Sequence, residues 1–223
     1  MDSEPLAGLE ELPIFPLATV LFPGAVLPLH IFEERYKQLM QYAIENGGVF
    51  GLSYRKDAEV GRETPPDIGS VGCVAKIGAV MPLEEGRLNL ISTGVIRYRV
   101  TGLVQLVPFL IARIETFHDF PELDEDLPRL FEEVAGVCKK FFEAADPNAT
   151  VSPDLPDDPE TFSLLIASAF PVDNDTKQGL LEMTSTRGRL MRLRRYVTLA
   201  LEQYRERMKV QQRARGNGHG KLK

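Results

Sequence analysis

The residues of this chain that could do chemistry are few, and their spacing does not assemble a catalytic set. A nucleophilic serine needs a neighbouring base, and the three histidines offer none: His219 sits near the C-terminus, His118 opens a linker and His30 precedes a helix. Gly51-Leu52-Ser53-Tyr54-Arg55 begins like a nucleophile elbow but lacks the closing glycine. Gly220-Lys221 is not preceded by the glycine-rich loop that cradles phosphates, and no strand-to-helix junction carries one. Cys73 and Cys138 have no second cysteine or histidine nearby, which excludes a disulfide framework and a zinc pattern; two buried free thiols are expected. Carboxylates fall in runs, Glu10-Glu11, Glu33-Glu34 and Glu122 to Asp126, the signature of solvated faces and linkers. No catalytic residue, metal site or cofactor is expected.

The elements that carry these residues change character along the chain. Leu12 to Leu17 and Val26 to Leu29 are extended runs, with Phe22-Pro23-Gly24 a turn between them. Between Ile31 and Asn46, Phe32, Tyr36, Leu39, Met40 and Ala43 recur at helical spacing, and Gly47-Gly48 stops that helix. Val49 to Tyr54 is a strand, and Arg55 to Ile68 reads as a polar loop. Strands follow over Val71 to Met81, Arg87 to Leu90, Ile96 to Val100 and Leu103 to Ile114, the last with Pro108 marking a bulge or an edge. Short strands with one helix among them predict a closed or nearly closed β-barrel.

Helical patterns take over beyond an acidic linker at 120–126. Leu130 to Phe142 forms an apolar stripe. After a second, proline- and aspartate-rich linker at 147–157, Asp158-Pro159 caps the next helix, and Asp173 can cap a short one over Lys177, Leu180 and Leu181. From Ser185 a rod of about 25 residues repeats Leu190, Leu193, Val197, Leu201, Tyr204 and Met208. The expected class is α+β: a barrel subdomain over 10–118, a helical bundle with a long last helix over 119–212, and a disordered basic tail over 213–223.

Charge is divided unevenly. Residues 185–223 hold twelve basic and two acidic side chains, a net of +10, while residues 1–184 hold fourteen basic and thirty acidic, a net of −16. The asymmetry fits either a basic helix lying on an acidic body or a nucleic-acid contact, and the acidic remainder disfavours the second. No secretory leader pattern and no apolar run of about 20 residues is present, so a cytoplasmic protein with no membrane partner is expected.

Three ordered segments resemble the N-terminal substrate-binding domain of Lon-type proteases. They are Leu12 to Leu17 through Phe22-Pro23-Gly24 to Pro28-Leu29-His30-Ile31-Phe32-Glu33-Glu34-Arg35-Tyr36; Val71-Gly72-Cys73-Val74-Ala75-Lys76-Ile77 with Glu85-Gly86-Arg87-Leu88 and Gly94-Val95-Ile96-Arg97-Tyr98; and Lys177 to Glu182 with Arg189-Leu190. The resemblance spans roughly residues 10–208, most of the chain, and the Ile-Phe-Glu-x-Arg-Tyr stretch looks like the free-standing members. It implies a PUA-like barrel followed by a helical bundle, a non-catalytic module that engages unfolded polypeptide or a protein partner without ATPase or protease domains. Because PUA-like barrels also occur in RNA-binding proteins, nucleic acid is the alternative partner; oligomeric state is not indicated. Candidate binding residues are Phe22, Phe32, Tyr36, Arg97, Tyr98 and Arg99. Phe22, Phe32 and Tyr36 read more readily as core than as ligand contacts, and Arg97 and Arg99 as surface ion pairs rather than a groove lining.

Overall fold

The computed structural model describes residues 8–56, 64–145 and 155–216. The middle of the polar loop at 55–68, most of the linker at 147–157 and the tail beyond Gly216 lie outside the described residues. Six strands come first: β1 (Glu11–Leu17), β2 (Val26–Ile31), β3 (Val49–Tyr54), β4 (Val71–Pro82), β5 (Leu88–Gln105) and β6 (Leu110–Phe117), with α1 (Glu34–Glu45) between β2 and β3. Four helices follow, α2 (Leu127–Ala145), α3 (Pro159–Ala169), α4 (Asn174–Glu182) and α5 (Thr186–Gly216). The class is α+β, as the sequence indicates.

Strand order is β2-β5-β4-β3-β1-β6, and an additional pairing of β5 with β6 closes the sheet into a ring. The β1–β3 pair is parallel and the other pairs are antiparallel. Closure depends on the length of β5. Gly94 and Thr101-Gly102 suggested breaks, yet one 18-residue strand runs through both. It pairs with β2, β4 and β6 and absorbs the curvature as register shifts around Val100/Gly102 and Val74/Ala75. The single strand expected over Leu103 to Ile114 is instead the end of β5, a turn and β6.

Contacts divide the chain into two compact units, Met1–Phe120 with Leu164–Thr184, and Pro121–Ser163 with Ser185–Lys223. Residues 164–184, expected in the helical subdomain, therefore cluster with the barrel.

Two apolar cores organise the first unit. Leu12, Ile14, Val49, Val74, Tyr98, Val100, Leu110, Ala112 and Ile114 make one cluster, to which β1, β3, β4, β5 and β6 all contribute: the barrel interior. Tyr98 is its largest member, and two glycines make room for it. A Cβ at Gly51 would stand 2.9 Å from the Tyr98 hydroxyl, and one at Gly72 would overlap the ring. The hydroxyl donates to the Leu52 carbonyl at 3.2 Å. The second core lies between the outer barrel wall and α1, where Tyr36, Leu39, Met40 and Ala43 meet Phe15, Phe50, Leu52 and Cys73. This is the face that the helical spacing of α1 places inward.

Segment 164–184 joins this unit by polar contacts. Asp173 caps α4 by accepting from the Thr176 amide at 2.8 Å, as its position predicts. Asn174 donates to the Ala18 carbonyl and Gln178 to the Val71 carbonyl. Tyr54 and Lys56 both donate to Asp175, whose carboxyl they hold below its ordinary range.

In the second unit α2 and α5 pack together. Leu130, Val134 and Cys138 of α2 and Leu190, Leu193, Val197 and Leu201 of α5 are buried. The Ser185 hydroxyl accepts from the Gly188 amide at the start of α5. The helix runs 31 residues, so the first four residues of the expected tail are helical. Several of its arginines are used locally: Arg187 pairs with Asp124 at 2.5 Å, Arg194 with Glu133 at 3.0 Å, and buried Arg189 donates to Ser163 at 2.8 Å. Two of these contacts set arginines of α5 on acidic side chains of the same unit.

Candidate functional site

The six residues singled out from the sequence do not converge on one place. Phe22 and Tyr98 are fully buried and Tyr36 nearly so, each as core. Phe32 is half exposed at the end of β2, its ring stacked on His30 with centroids 5.8 Å apart. Arg97 and Arg99 share a neighbour, with guanidinium carbons 4.6 and 5.1 Å from the Phe117 ring centroid.

Arg97 corrects the expectation of a surface pair. Its side chain is 1% exposed and its partner Asp119 4%, with 2.6 Å between Nη2 and the carboxylate. Nη1 donates to the carbonyls of Met183 at 2.5 Å and Leu181 at 3.2 Å. Leu181 lies in the last turn of α4 and Met183 is its C-cap, where helical partners run out, so the guanidinium satisfies acceptors that would otherwise be stranded. The strand alternation is right, but both faces of β5 are covered here. Arg97 is therefore a joint within the first unit.

The surface of that unit offers a different site. A groove of about 720 Å³ is lined by Glu34, Lys37, Gln38, Gln41, Tyr42 and Glu45 of α1, by Glu85 and Gly86 of the β4–β5 turn, by Leu88 at the start of β5, and by Phe109. Tyr42 and Phe109 form its aromatic floor, rings tilted with centroids 5.4 Å apart. The turn is held to α1 by Lys37, whose Nζ donates to the Glu85 carbonyl at 2.7 Å and pairs with Glu34 at 3.5 Å. Glu85 adopts φ 60, and Gly86 beside it φ 69, a left-handed step that glycine takes without strain.

From the floor residue Phe109 the chain leads directly into the β5–β6 turn, which is apolar and exposed. Leu103, Val104, Leu106 and Val107 all present large hydrophobic surface to solvent, Val107 at 79%. Scattered exposed apolar residues are ordinary; four within five positions, leading in sequence to the floor residue Phe109, concentrate apolar surface as interaction sites do. The sequence carried a signal for this turn. Gly102 to Ala112 contains no charged residue and is too long for the eight-residue β6 alone, with Pro108 in its middle.

The remaining reactive groups are withdrawn. Ser53, in the elbow-like stretch, is a buried residue of β3. Burial pushes the thiols of Cys73 and Cys138 up to about 12. Iodoacetamide at pH 8 is expected to leave both unlabelled in the native protein and to label both in denaturant; rapid native labelling of either would contradict this burial. Among the described residues no group of three or more His, Cys, Asp or Glu is placed to hold a metal, and no helix is long and apolar enough to cross a membrane.

Comparison with known proteins decides the family. The model of the ATP-dependent protease La (LON) substrate-binding domain matches residues 11–198. The chain belongs to the Lon substrate-binding domain family. Among curated relatives, the Lon protease of Koribacter versatilis is 29% identical over 92% of this chain and 26% of its own length. Lon protease 2 of Myxococcus xanthus is 30% identical over 80% of this chain and 22% of its own. The chain thus spans about a quarter of the length of these relatives. Two solved structures share the fold of the Lon substrate-binding domain. The N-terminal domain of the Mycobacterium avium complex Lon protease has a TM-score of 0.62 at 18% identity, covering 85% of this chain and 98% of that one. The Lon N-terminal domain protein of Xanthomonas campestris has a TM-score of 0.55 at 23% identity, covering 82% and 96%.

Proposed function

We propose that this Lon-type domain is a non-catalytic binding module that captures exposed apolar segments of unfolded polypeptide or of a protein partner, in the cytoplasm. The observation that carries the reading is the joint surface of the α1 groove and the β5–β6 turn: an aromatic floor continuous in sequence with a solvent-exposed run of leucine and valine. Burying such a run against a partner's apolar side chains removes area from water at roughly 25 cal/mol per Å². The rigid barrel wall beneath limits the ordering cost on this side. Family membership supports the same reading, since the family is described as substrate-binding and the relatives named above are proteases of about four times this length.

The test is a fluorescence anisotropy titration with a labelled, reduced and alkylated polypeptide that cannot fold. Saturable binding is expected, and the double substitution Leu106→Ser with Val107→Ser should weaken it at least tenfold while leaving the thermal midpoint within a few degrees, because both side chains are exposed. Absence of saturable binding by the unaltered chain at high micromolar concentration would overturn the proposal. Binding that is equally tight in the variant would move the site elsewhere.

A further inference from the structure

The floor of the α1 groove is apolar, but its rim is acidic. Glu34 stands at the N-terminal end of α1, Glu45 at the C-terminal end, and Glu85 on the opposite bank. The lining contains one basic side chain, Lys37, and it is engaged: Nζ is tied to the Glu85 carbonyl and to Glu34. The neutral rim residues Gln38 and Gln41 carry no compensating charge, and Gln41 itself donates to Glu45. Glu85 is paired in turn with Arg87, just outside the lining, at 3.8 Å, so the carboxylates exceed the cations by one around a floor made of Tyr42, Leu88 and Phe109.

Resting on the polypeptide-binding reading above, we propose that this groove selects extended segments in which one large apolar residue is flanked on both sides by lysine or arginine, and discriminates against acidic flanks. Spacing follows from the helix. Glu34 and Glu45 are eleven residues apart, which at about 1.5 Å per residue separates them by roughly 16 Å. In an extended peptide, residues two before and two after a central one lie four steps, roughly 13 Å, apart at about 3.3 Å per step, and the few ångströms left of the roughly 16 Å are within the reach of lysine or arginine side chains. Residues two before and two after a central apolar side chain point to the same side as it does, so the favoured pattern is basic-x-apolar-x-basic. The aromatic or aliphatic side chain then rests on Tyr42 and Phe109 while the flexible basic side chains reach the two helix-end carboxylates. Glu85, already paired with Arg87, adds a weaker third acidic position on the far bank. Selection works in both directions, because an acidic flank would be brought against carboxylates whose neighbouring cations, Lys37 and Arg87, are already paired with Glu34 and Glu85.

The experiment uses the full chain and three labelled nine-residue peptides with the same central phenylalanine, flanked at both second positions by lysine, by serine or by glutamate. At low salt the lysine peptide is expected to bind roughly tenfold tighter than the serine peptide and the glutamate peptide several-fold weaker, since each exposed charge pair contributes modestly. Raising salt towards 0.5 M should bring the three affinities together. The combined substitution Glu34→Gln, Glu45→Gln and Glu85→Gln should abolish the preference, bringing the lysine, serine and glutamate peptides to a common affinity. Moving the lysines to the positions directly adjacent to phenylalanine should lose most of the gain. Equal affinities of the three peptides, or a preference that survives the triple substitution, would overturn the selectivity while leaving apolar capture intact. Failure of all three to bind would overturn both.

Discussion

Arg97→Ala is expected to destabilise the protein by about 3–5 kcal/mol, the range for removing one partner of a buried ion pair. The large effect comes from what is left behind. Asp119 would remain 4% exposed without its guanidinium, and the Leu181 and Met183 carbonyls would lose their charged donor. The Phe117 ring would lose the nearer of its two cations as well. A urea titration of the variant should show a lower midpoint with a similar slope. Arg97→Lys should recover little, because an ammonium cannot address two carbonyls, a carboxylate and a ring face together. Combining Arg97→Met with Asp119→Leu should recover a substantial part, since removing both charges also removes the desolvation cost. A loss below about 1 kcal/mol in Arg97→Ala would mean that Arg97 is not the joint described here.

The second large effect is expected at Gly94. A Cβ there would overlap the Phe22 carbonyl oxygen and stand 3.1 Å from the Cys73 sulfur, so Gly94→Ala should cost about 3 kcal/mol. Two backbone bonds fix the approach: Gly94 donates to the Ala25 carbonyl at 2.9 Å and accepts from the Gly24 amide at 2.8 Å. Neither strand can retreat without breaking them. Gly136 provides the contrast. It lies in α2 with nothing within 4 Å of an added Cβ, so Gly136→Ala should raise stability by about 0.5–1 kcal/mol. Thermal melts of the two variants should move in opposite directions; equal shifts would contradict the packing at Gly94.

These two residues also show where sequence reading reached its limit. Gly94 reads as a separator between strands because glycine punctuates local patterns, and its actual use, a close approach of the Phe22 backbone, comes from a residue 72 positions away. Arg97 alternates correctly with Tyr98, yet alternation tells only which face a side chain takes, not whether that face is covered. The cover comes from Leu181 and Met183, more than eighty residues on. By contrast, the α1 stripe, the Asp173 cap, the Asp158-Pro159 helix start and the Ser185 entry into α5 were all legible, because each is a local arrangement within about one helical turn. The candidate surface was the least legible part. Phe22, Tyr36 and Tyr98 carry the family likeness because they build the core, whereas Tyr42, Phe109 and Val107 belong to a surface that only the pairing of β5 with β6 assembles.

The most direct test of the account is amide hydrogen exchange on the full chain with and without a saturating unfolded polypeptide. Binding at the described surface predicts added protection confined to residues 103–110, to α1 and to the turn around Glu85, with the buried strands and α5 unchanged. Protection concentrated on the arginine-rich α5 instead, or none at 103–110 while polypeptide is bound, would contradict the assignment of the groove and turn as the binding site.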